Sequence, residues 1–336
     1  MSREQGTGNR EQNEAAGASS SPDPSSLRLF AVELARLGGR TASRLFGKVT
    51  VRRKADNSPV TEADHITQDA ILRAIAERFP DHAVLVEETL ANPERHAPLR
   101  ELPDQSPDCE GGVTPPRTGM ANREERIAKV ERAAVPSIPQ SLNPSVPVSD
   151  YCWIIDPIDG TRNFARGVRV FATSVAVLHR GVPVAGAVYD ATSEVVYSAA
   201  AGQGAFRDEE KLELPAADSG DSERETTIAV GSFRRKPMPP FVGKWMSRYV
   251  TRNLGSTSLH FTWVAAGLVD AAYSNEAKLW DIAAAALLIE EAGGSFLGES
   301  VGPIWPFDVS GYAGGDLHVL GGSKSILREL RGDLSA

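Results

Sequence analysis

The stretch Trp153-Ile-Ile-Asp-Pro-Ile-Asp-Gly-Thr-Arg-Asn-Phe164 decides both the fold and the chemistry that we predict for this chain. Its first three residues predict a short buried strand. Asp156 and Asp159 follow at a spacing of three, so they cannot face the same way on a regular strand, whose side chains alternate with a period of two. Pro157 fixes its own φ angle and lacks an N–H group, which predicts a tight turn directly after the strand.

Such a turn would collect hard oxygen ligands in one small volume. The carboxylates of Asp156 and Asp159 and the carbonyl of Ile158 are ligand types that Mg²⁺ prefers. Gly160 and Thr161 then expose backbone N–H groups that suit a phosphate. The same composition also occurs in plain surface turns, so these six residues alone leave both interpretations open.

Three further acidic positions are candidates for the same site. Glu87 follows the apolar run 83–86, which predicts a buried strand, and Asp281 stands at the start of an alanine-rich helix. Asp64 has the spacing of a helix capping box. Each position also has an ordinary explanation, namely a solvated loop for Glu87, a helix N-terminal acid for Asp281 and a capping residue for Asp64.

The rest of the chain divides into ordered and disordered parts. Residues 1–26 are polar, and we expect a disordered tail. Folded sequence begins near Leu27 with a helix that Gly38-Gly39 is expected to end. Residues 91–149 hold ten of the 22 prolines and no Phe, Trp or Tyr. They cannot bury enough apolar surface to offset their ordering entropy, which predicts a disordered insertion, with a functional lid as the alternative.

Short strands and helices alternate without a repeat through the remaining sequence. The runs 172–178 and 182–189 predict two strands joined as a hairpin at Arg180-Gly181. A strongly apolar helix is predicted over 282–292, closed by Gly293-Gly294. We therefore expect a layered fold of the α/β (α+β) class.

Composition narrows the possible partners. The chain has 336 residues, a formal net charge of −8 and a pI near 5.4, so it offers no overall basic field for a nucleic acid polymer. A small anionic substrate remains possible, because bound metal supplies positive charge locally. No apolar run approaches a membrane span. Cys109 and Cys152 form neither a CxxC pair nor a disulfide framework, and we expect a reducing cytoplasmic location.

Taken together, the motifs resemble the inositol monophosphatase family. The segment 153–164 is similar to the first signature of that family, and Trp280-Asp-Ile-Ala-Ala…Glu291-Ala-Gly-Gly294 is similar to its second. Lys54, the run Pro59-Val-Thr-Glu-Ala-Asp64 and the run Val86-Glu-Glu-Thr89 lie in the expected order before them. Four separated motifs in order make a chance match very improbable.

The resemblance extends from Leu27 to Ser325, and it implies a fold and a cofactor. We expect one phosphatase domain over residues 27–330, interrupted by 91–149. The implied fold is a layered αβαβα sandwich of the sugar-phosphatase type, which uses two or three Mg²⁺ ions. The implied metal ligands are Glu87, Asp156, the Ile158 carbonyl, Asp159 and Asp281, with Glu88 as a helper.

The resemblance also assigns catalytic and substrate roles. Asp64 and Thr161 resemble the pair that orients and deprotonates the attacking water, with Glu87 as a further catalytic residue. Gly160 and Thr161 resemble phosphate contacts, and Lys54 matches a basic residue near the site. The remaining implied contacts lie near the leaving group of the substrate: Gly255, Ser256 and Thr257.

The implied activity is Mg²⁺-dependent hydrolysis of a small phosphate monoester, with inositol 1-phosphate as the leading substrate and a homodimer as one option for assembly. Histidinol phosphate and a 3′(2′),5′-bisphosphate nucleotide remain alternatives, as does a catalytically silent protein that binds metal or phosphate. One departure concerns Ser274, which stands where inositol enzymes usually carry an acid that contacts a substrate hydroxyl. Glu276 is close enough in sequence to replace that acid.

Overall fold

The computed structural model describes residues 22–48, 51–53, 59–88, 149–214, 225–234, 236–298 and 302–334. The helices are α1 (Pro24–Leu45), α2 (Glu62–Arg78), α3 (Thr161–Ala165), α4 (Pro240–Arg248), α5 (Thr257–Ala265), α6 (Leu279–Glu291) and α7 (Lys324–Leu334). The first strands are β1 (Val51–Arg53), β2 (Pro59–Thr61), β3 (Ala83–Val86), β4 (Tyr151–Asp159), β5 (Ala172–His179), β6 (Val182–Asp190) and β7 (Val195–Ala200). The remaining strands are β8 (Gly204–Arg207), β9 (Glu210–Leu212), β10 (Thr227–Val230), β11 (Val250–Arg252), β12 (Ala271–Ala277), β13 (Ser295–Gly298) and β14 (Leu317–Gly322).

Three predictions fall wholly or mainly on other residues. They concern Lys54, residues 1–21 of the expected tail and residues 91–148 of the expected insertion, all of which lie outside the described residues. Residues 22–26 of the expected tail are described, and α1 begins among them, three residues before Leu27. Its start has a local cause, since the Asp23 side chain accepts a hydrogen bond from the Ser26 N–H and Pro24 occupies the first helical position.

The prediction that Gly38-Gly39 ends the first helix is wrong, because α1 continues through both glycines to Leu45. The two residues permit a close approach between α1 and the sheet. A Cβ atom on Gly39 would lie 2.0 Å from Cδ1 of Tyr189, and one on Gly38 would lie 2.7 Å from Cγ2 of Thr173. These glycines are therefore packing residues of a helix interior, where glycine otherwise lowers stability.

A seven-stranded sheet has the order β3-β4-β5-β6-β7-β8-β9, in which β3 and β4 are parallel and the other neighbours are antiparallel. The predicted hairpin is confirmed, since β5 and β6 are joined by Arg180 and Gly181 with φ angles of 51° and 80°. Positive φ at both turn residues matches the right-handed twist of the strands. A five-stranded sheet has the order β11-β10-β12-β14-β13.

Five layers result, and the expected αβαβα sandwich is confirmed. Helices α1 and α2 pack on the outer face of the seven-stranded sheet, around Leu34, Ile71 and Trp153. Helices α5 and α6 fill the layer between the two sheets. Helices α4 and α7 cover the far face of the five-stranded sheet, around Trp245 and Leu330. Among the helices that the structure describes, none combines the length and apolar character of a membrane span.

Candidate active site

A bulge in β4 explains how two carboxylates three residues apart share one site. Asp156 pairs with Ser174 of β5, but Asp159 pairs with Ala172, so three steps along β4 correspond to two along β5. The extra residue resets the alternation, as a β-bulge does, and allows both carboxylates to reach one side. The predicted tight turn after Ile155 is therefore wrong in form, because β4 continues to Asp159 before Gly160 breaks it.

Three buried carboxylates meet at this bulge. Asp156, Asp159 and Asp281 each offer an oxygen, and these oxygens lie within 4.8 Å of one another. Asp281 comes from the first turn of α6, where its Oδ2 accepts a hydrogen bond of 2.8 Å from the Lys278 N–H. The helix of the middle layer thus delivers its capping acid to the end of a strand in the adjacent sheet, and the capping explanation and the site explanation for Asp281 are compatible.

Glu87 lies close to this cluster. It follows β3, whose Val86 is paired in register with Ile155, the residue before Asp156. Burial raises the pKa of Asp281 well above its ordinary value, and the negative charges of Asp159 and Glu87 raise it further. Burial likewise raises the pKa of Asp159, against hydrogen bonds that lower it. The cause that both groups share is burial, which penalises the ionised carboxylate.

The donor set fits Mg²⁺ on its chemistry. All three converging side chains are hard carboxylate oxygens, which magnesium prefers over nitrogen or sulfur ligands. Buried like charges at such short range are unfavourable without a cation, and the raised pKa of Asp281 reflects first its burial and then the charges of Asp159 and Glu87. A divalent cation would relieve the repulsion and favour the ionised carboxylates.

Asp64 and Thr161, predicted as a pair, do lie together. Thr161 Oγ1 is 3.4 Å from Oδ1 of Asp64 and donates a hydrogen bond of 2.9 Å to the Ile158 carbonyl. The other Asp64 oxygen accepts from the N–H and the hydroxyl of Thr61, at 2.7 and 2.6 Å, which is the predicted capping contact. The pair therefore joins the start of α2 to the end of β4.

Two glycines bring the predicted phosphate and leaving-group segments into contact. Gly160 has a φ of 93°, and a Cβ there would lie 2.9 Å from the Val170 carbonyl and 3.4 Å from the Gly255 carbonyl. Gly255 has a φ of 74°. Asn163 fastens the two segments, because its Nδ2 donates to the carbonyls of Val170 and Leu254, both at 2.7 Å. Sequence reasoning quoted Asn163 within the motif but gave it no role.

The other two predicted leaving-group contacts belong to the start of α5. Ser256 is its N-cap and is buried, and its hydroxyl donates to Oδ2 of Asp159. A backbone hydrogen bond from Thr257 lowers the pKa of Asp159. Both residues thus contact an acid of the cluster. Ser258 also donates to Asp159, and the sequence analysis missed it, although the hydroxyl run 256–258 before an apolar helix was a usable signal.

The structure also defines the surroundings of Ser274, which stands where inositol enzymes usually carry an acid. Ser274 is buried on β12, and its Oγ accepts from the Glu276 N–H at 3.3 Å. An irregularity in the pairing of β12 lies between Ser274 and Ala277. Glu276 Oε1 accepts from the Lys236 N–H at 3.1 Å, so this carboxylate contacts the loop before α4.

Fold and site together define an αβαβα protein with a buried acidic centre suited to a divalent cation. Residues 23–317 match the model of the Inositol monophosphatase family, and the chain belongs to that family. Members of the family are phosphoric monoester hydrolases, and this chain is an enzyme of that class.

Individual relatives agree with the assignment. An inositol-1-monophosphatase of Mesorhizobium japonicum is 28% identical over 287 residues, covering 80% of this chain and 84% of its own. The Nus factor SuhB of Pasteurella multocida is 25% identical over 277 residues, with 79% and 82% covered. A solved inositol monophosphatase structure from Thermotoga maritima superposes with a TM-score of 0.64 at 25% identity, covering 91% of this chain and 95% of its own.

Proposed function

We propose that this chain is a Mg²⁺-dependent phosphatase that hydrolyses inositol 1-phosphate to inositol and phosphate. The observation that carries the proposal is the convergence of Asp156, Asp159 and Asp281 within 4.8 Å, buried and drawn from two layers of the fold. Thr161 lies just beyond the end of the same strand, and its hydroxyl is 3.4 Å from the carboxylate of Asp64. A cation centre beside a group that can accept a proton suits ester hydrolysis by water.

Glu87, Asp156, the Ile158 carbonyl, Asp159 and Asp281 would hold two or three Mg²⁺ ions. When bound, these ions would neutralise the phosphate, acidify the attacking water and stabilise the leaving alkoxide. The chain itself provides a dry, fixed set of oxygens, which costs no reorganisation during the reaction. The buried Glu88 would support the end of β3 beside Glu87.

Thr161 and Asp64 would manage the proton of the attacking water. The Thr161 hydroxyl has one proton and donates it to the Ile158 carbonyl, which leaves its lone pairs able to accept a hydrogen bond from water. As the hydroxyl reorients, it would pass its own proton to Asp64 Oδ1, 3.4 Å away, while the Thr161 oxygen takes a proton from the attacking water, which leaves hydroxide to attack the phosphorus. The hydrogen bonds from Thr61 hold the other carboxylate oxygen of Asp64 and so fix the orientation of that side chain.

Phosphate and leaving group would occupy the space beside these residues. Backbone N–H groups of Gly160 and Thr161 would contact the phosphate, and Gly255, Ser256 and Thr257 would border the leaving group. Ser256 would act there mainly through Asp159, since its hydroxyl already donates to that acid. Lys54 is proposed as a nearby basic residue on the strength of the motif order alone.

The choice of substrate rests on the family and on its inositol-1-monophosphatase members. Family membership and the inositol-1-monophosphatase relative support inositol 1-phosphate. Ser274 stands at the position where inositol enzymes usually carry an acid. Glu276 is proposed to replace that acid, by exchanging its hydrogen bond from the Lys236 N–H for one from a substrate hydroxyl. Histidinol phosphate and a 3′(2′),5′-bisphosphate nucleotide remain the alternative substrates.

A substrate panel with a matched inactive variant tests the proposal. Phosphate release is measured from inositol 1-phosphate, histidinol phosphate, fructose 1,6-bisphosphate and 3′-phosphoadenosine 5′-phosphate, with Mg²⁺ and with EDTA. Asp156→Asn should lower turnover roughly 10²-fold or more, since a cation ligand is lost while the acceptor for the Ile158 N–H is kept. Full activity of Asp156→Asn would contradict the metal assignment, and preference for another ester would contradict the substrate.

The same panel separates the enzyme from a catalytically silent binding protein. Stoichiometric Mg²⁺ binding without phosphate release from any ester, including p-nitrophenyl phosphate, would favour the silent protein. A cytoplasmic location and a homodimer belong to the proposal as well. The buried free thiol of Cys152 is compatible with a reducing compartment.

A further inference from the structure

One oxygen of the Asp159 carboxylate carries an unusual number of hydrogen bonds. Its Oδ2 accepts from the Ser256 hydroxyl, from the Ser258 hydroxyl and, at 2.7 Å, from the Ser258 N–H. All three donors stand at the start of α5, and both serines are buried. Three donors directed at one oxygen fix the plane and rotation of the carboxylate, and they thereby set the direction of its second oxygen.

We propose that Ser258 is a positioning residue, whose hydroxyl holds Asp159 in the orientation that presents its second oxygen to Mg²⁺ between Asp156 and Asp281. The inference rests on the proposed metal role of Asp159. Residues that orient a metal ligand typically change metal affinity when they are removed, although they never touch the ion.

The hydroxyl of Ser258 is the distinguishing part of this arrangement. Ser256 already serves as the N-cap, since its Oγ accepts from the Leu259 N–H at 3.3 Å. The Ser258 N–H would remain in Ser258→Ala. Alanine is the better helix former, so α5 does not need serine at this position for its own stability. A serine hydroxyl buried at the second position of a helix and directed at a carboxylate is explained by the demands of that carboxylate.

The chemistry of the contact agrees with this role. Asp159 is buried beside two other acids. Hydrogen bonds to a charged acceptor are about twice as strong as those between neutral groups. The Ser258 hydroxyl therefore lowers the rotational freedom of the ligand.

Mg²⁺ binding to the full-length protein, measured by isothermal titration calorimetry, tests the proposal. Ser258→Ala should weaken Mg²⁺ affinity roughly tenfold or more, and the Mg²⁺ concentration for half-maximal turnover should rise by the same factor while kcat at saturating Mg²⁺ falls much less. Ser258→Thr, which keeps the hydroxyl, should retain affinity closer to that of the parent protein.

Ser198→Ala is the matched control. Ser198 is a fully buried serine on β7, three strands from β4, and its hydroxyl accepts a hydrogen bond of 3.0 Å from Arg28. Its removal should leave Mg²⁺ affinity within about twofold even where stability falls. Unchanged affinity of Ser258→Ala, beside a parent protein that binds Mg²⁺, overturns the positioning role alone. A parent protein that binds no Mg²⁺ overturns the metal proposal as well.

Discussion

At the scale of single residues, side-chain chemistry was readable from the sequence and its partners were not. The residue type makes Asp156, Asp159 and Asp281 candidates for Mg²⁺, the family resemblance implies that they are the ligands, and the structure brings them together. The contact of Ser258 with Asp159 joins residues 99 positions apart. The hydroxyl run 256–258 is a local signal for Ser258 itself, but no local pattern identifies Asp159 as its partner, so only the folded chain reveals the pair.

His260 provides a prediction at this scale. The ring is buried in α5, its Nε2 accepts from the Leu254 N–H at 2.8 Å, and burial lowers its pKa from 6.5 to about 4. His260 therefore becomes protonated near pH 6.5 in the unfolded chain, but only near pH 4 in the folded protein. Stability from this residue is complete above pH 6.5 and is lost as the pH falls, by about 2 kcal/mol between pH 7 and pH 5.

Urea unfolding at pH 7 and pH 5 measures this loss. His260→Gln keeps an acceptor for the Leu254 N–H, and glutamine does not titrate in this range. The free energy of unfolding of the variant should therefore fall by about 2 kcal/mol less than that of the parent protein over the same interval. Comparing the two proteins removes the contributions of carboxylates, which they share. Equal losses would show that the His260 ring accepts a proton in the folded state.

At the scale of elements, the sequence predicted where strands and helices lie better than how they end. The apolar runs of the sequence predict β5, β6 and α6 within a few positions of their observed bounds. Gly38-Gly39 predicts a stop because glycine weakens helices, yet the close approach of Tyr189 and Thr173 requires the small size of glycine. Pro157 predicts a turn, yet the pairing of β4 with β5 continues past it, so the structure has a bulge there.

The two roles of helical glycine can be separated by experiment. Gly39→Ala should destabilise the protein by roughly 1–3 kcal/mol, since the new methyl group meets the Tyr189 ring and must displace it or the helix. Gly332→Ala in α7 is the matched control, because a Cβ there meets nothing within 4 Å. It should stabilise by about 0.5–1 kcal/mol through helix propensity. Thermal unfolding of both variants checks the opposite signs, and a harmless Gly39→Ala would contradict the packing explanation.

At the scale of the whole molecule, the acidic centre lies between layers. Asp156 and Asp159 belong to the seven-stranded sheet, whereas Asp281 belongs to a helix of the middle layer that also packs on the five-stranded sheet. The layer order followed from a family resemblance, since the sequence pattern alone gave only an α/β class. What no pattern could give is that the repulsion among these acids acts between layers, which links cation binding to the stability of the whole fold.

Asp281→Asn tests this link. Asparagine can still accept from the Lys278 N–H, so α6 keeps its cap while one crowded charge is removed. Burial, Asp159 and Glu87 raise the pKa of Asp281, which means that its ionised form opposes folding at neutral pH. The variant in EDTA should therefore unfold at a higher temperature than the parent protein in EDTA. With Mg²⁺ at about 100 times its dissociation constant, the parent protein should gain roughly 2.7 kcal/mol, and the variant far less.

Differential scanning calorimetry of both proteins, with Mg²⁺ and with EDTA, measures the four melting temperatures. The order of the melting temperatures should reverse, because the variant should melt higher than the parent protein without the cation and lower with it. A variant that follows the parent in both buffers would mean that Asp281 neither repels its neighbours nor binds the ion.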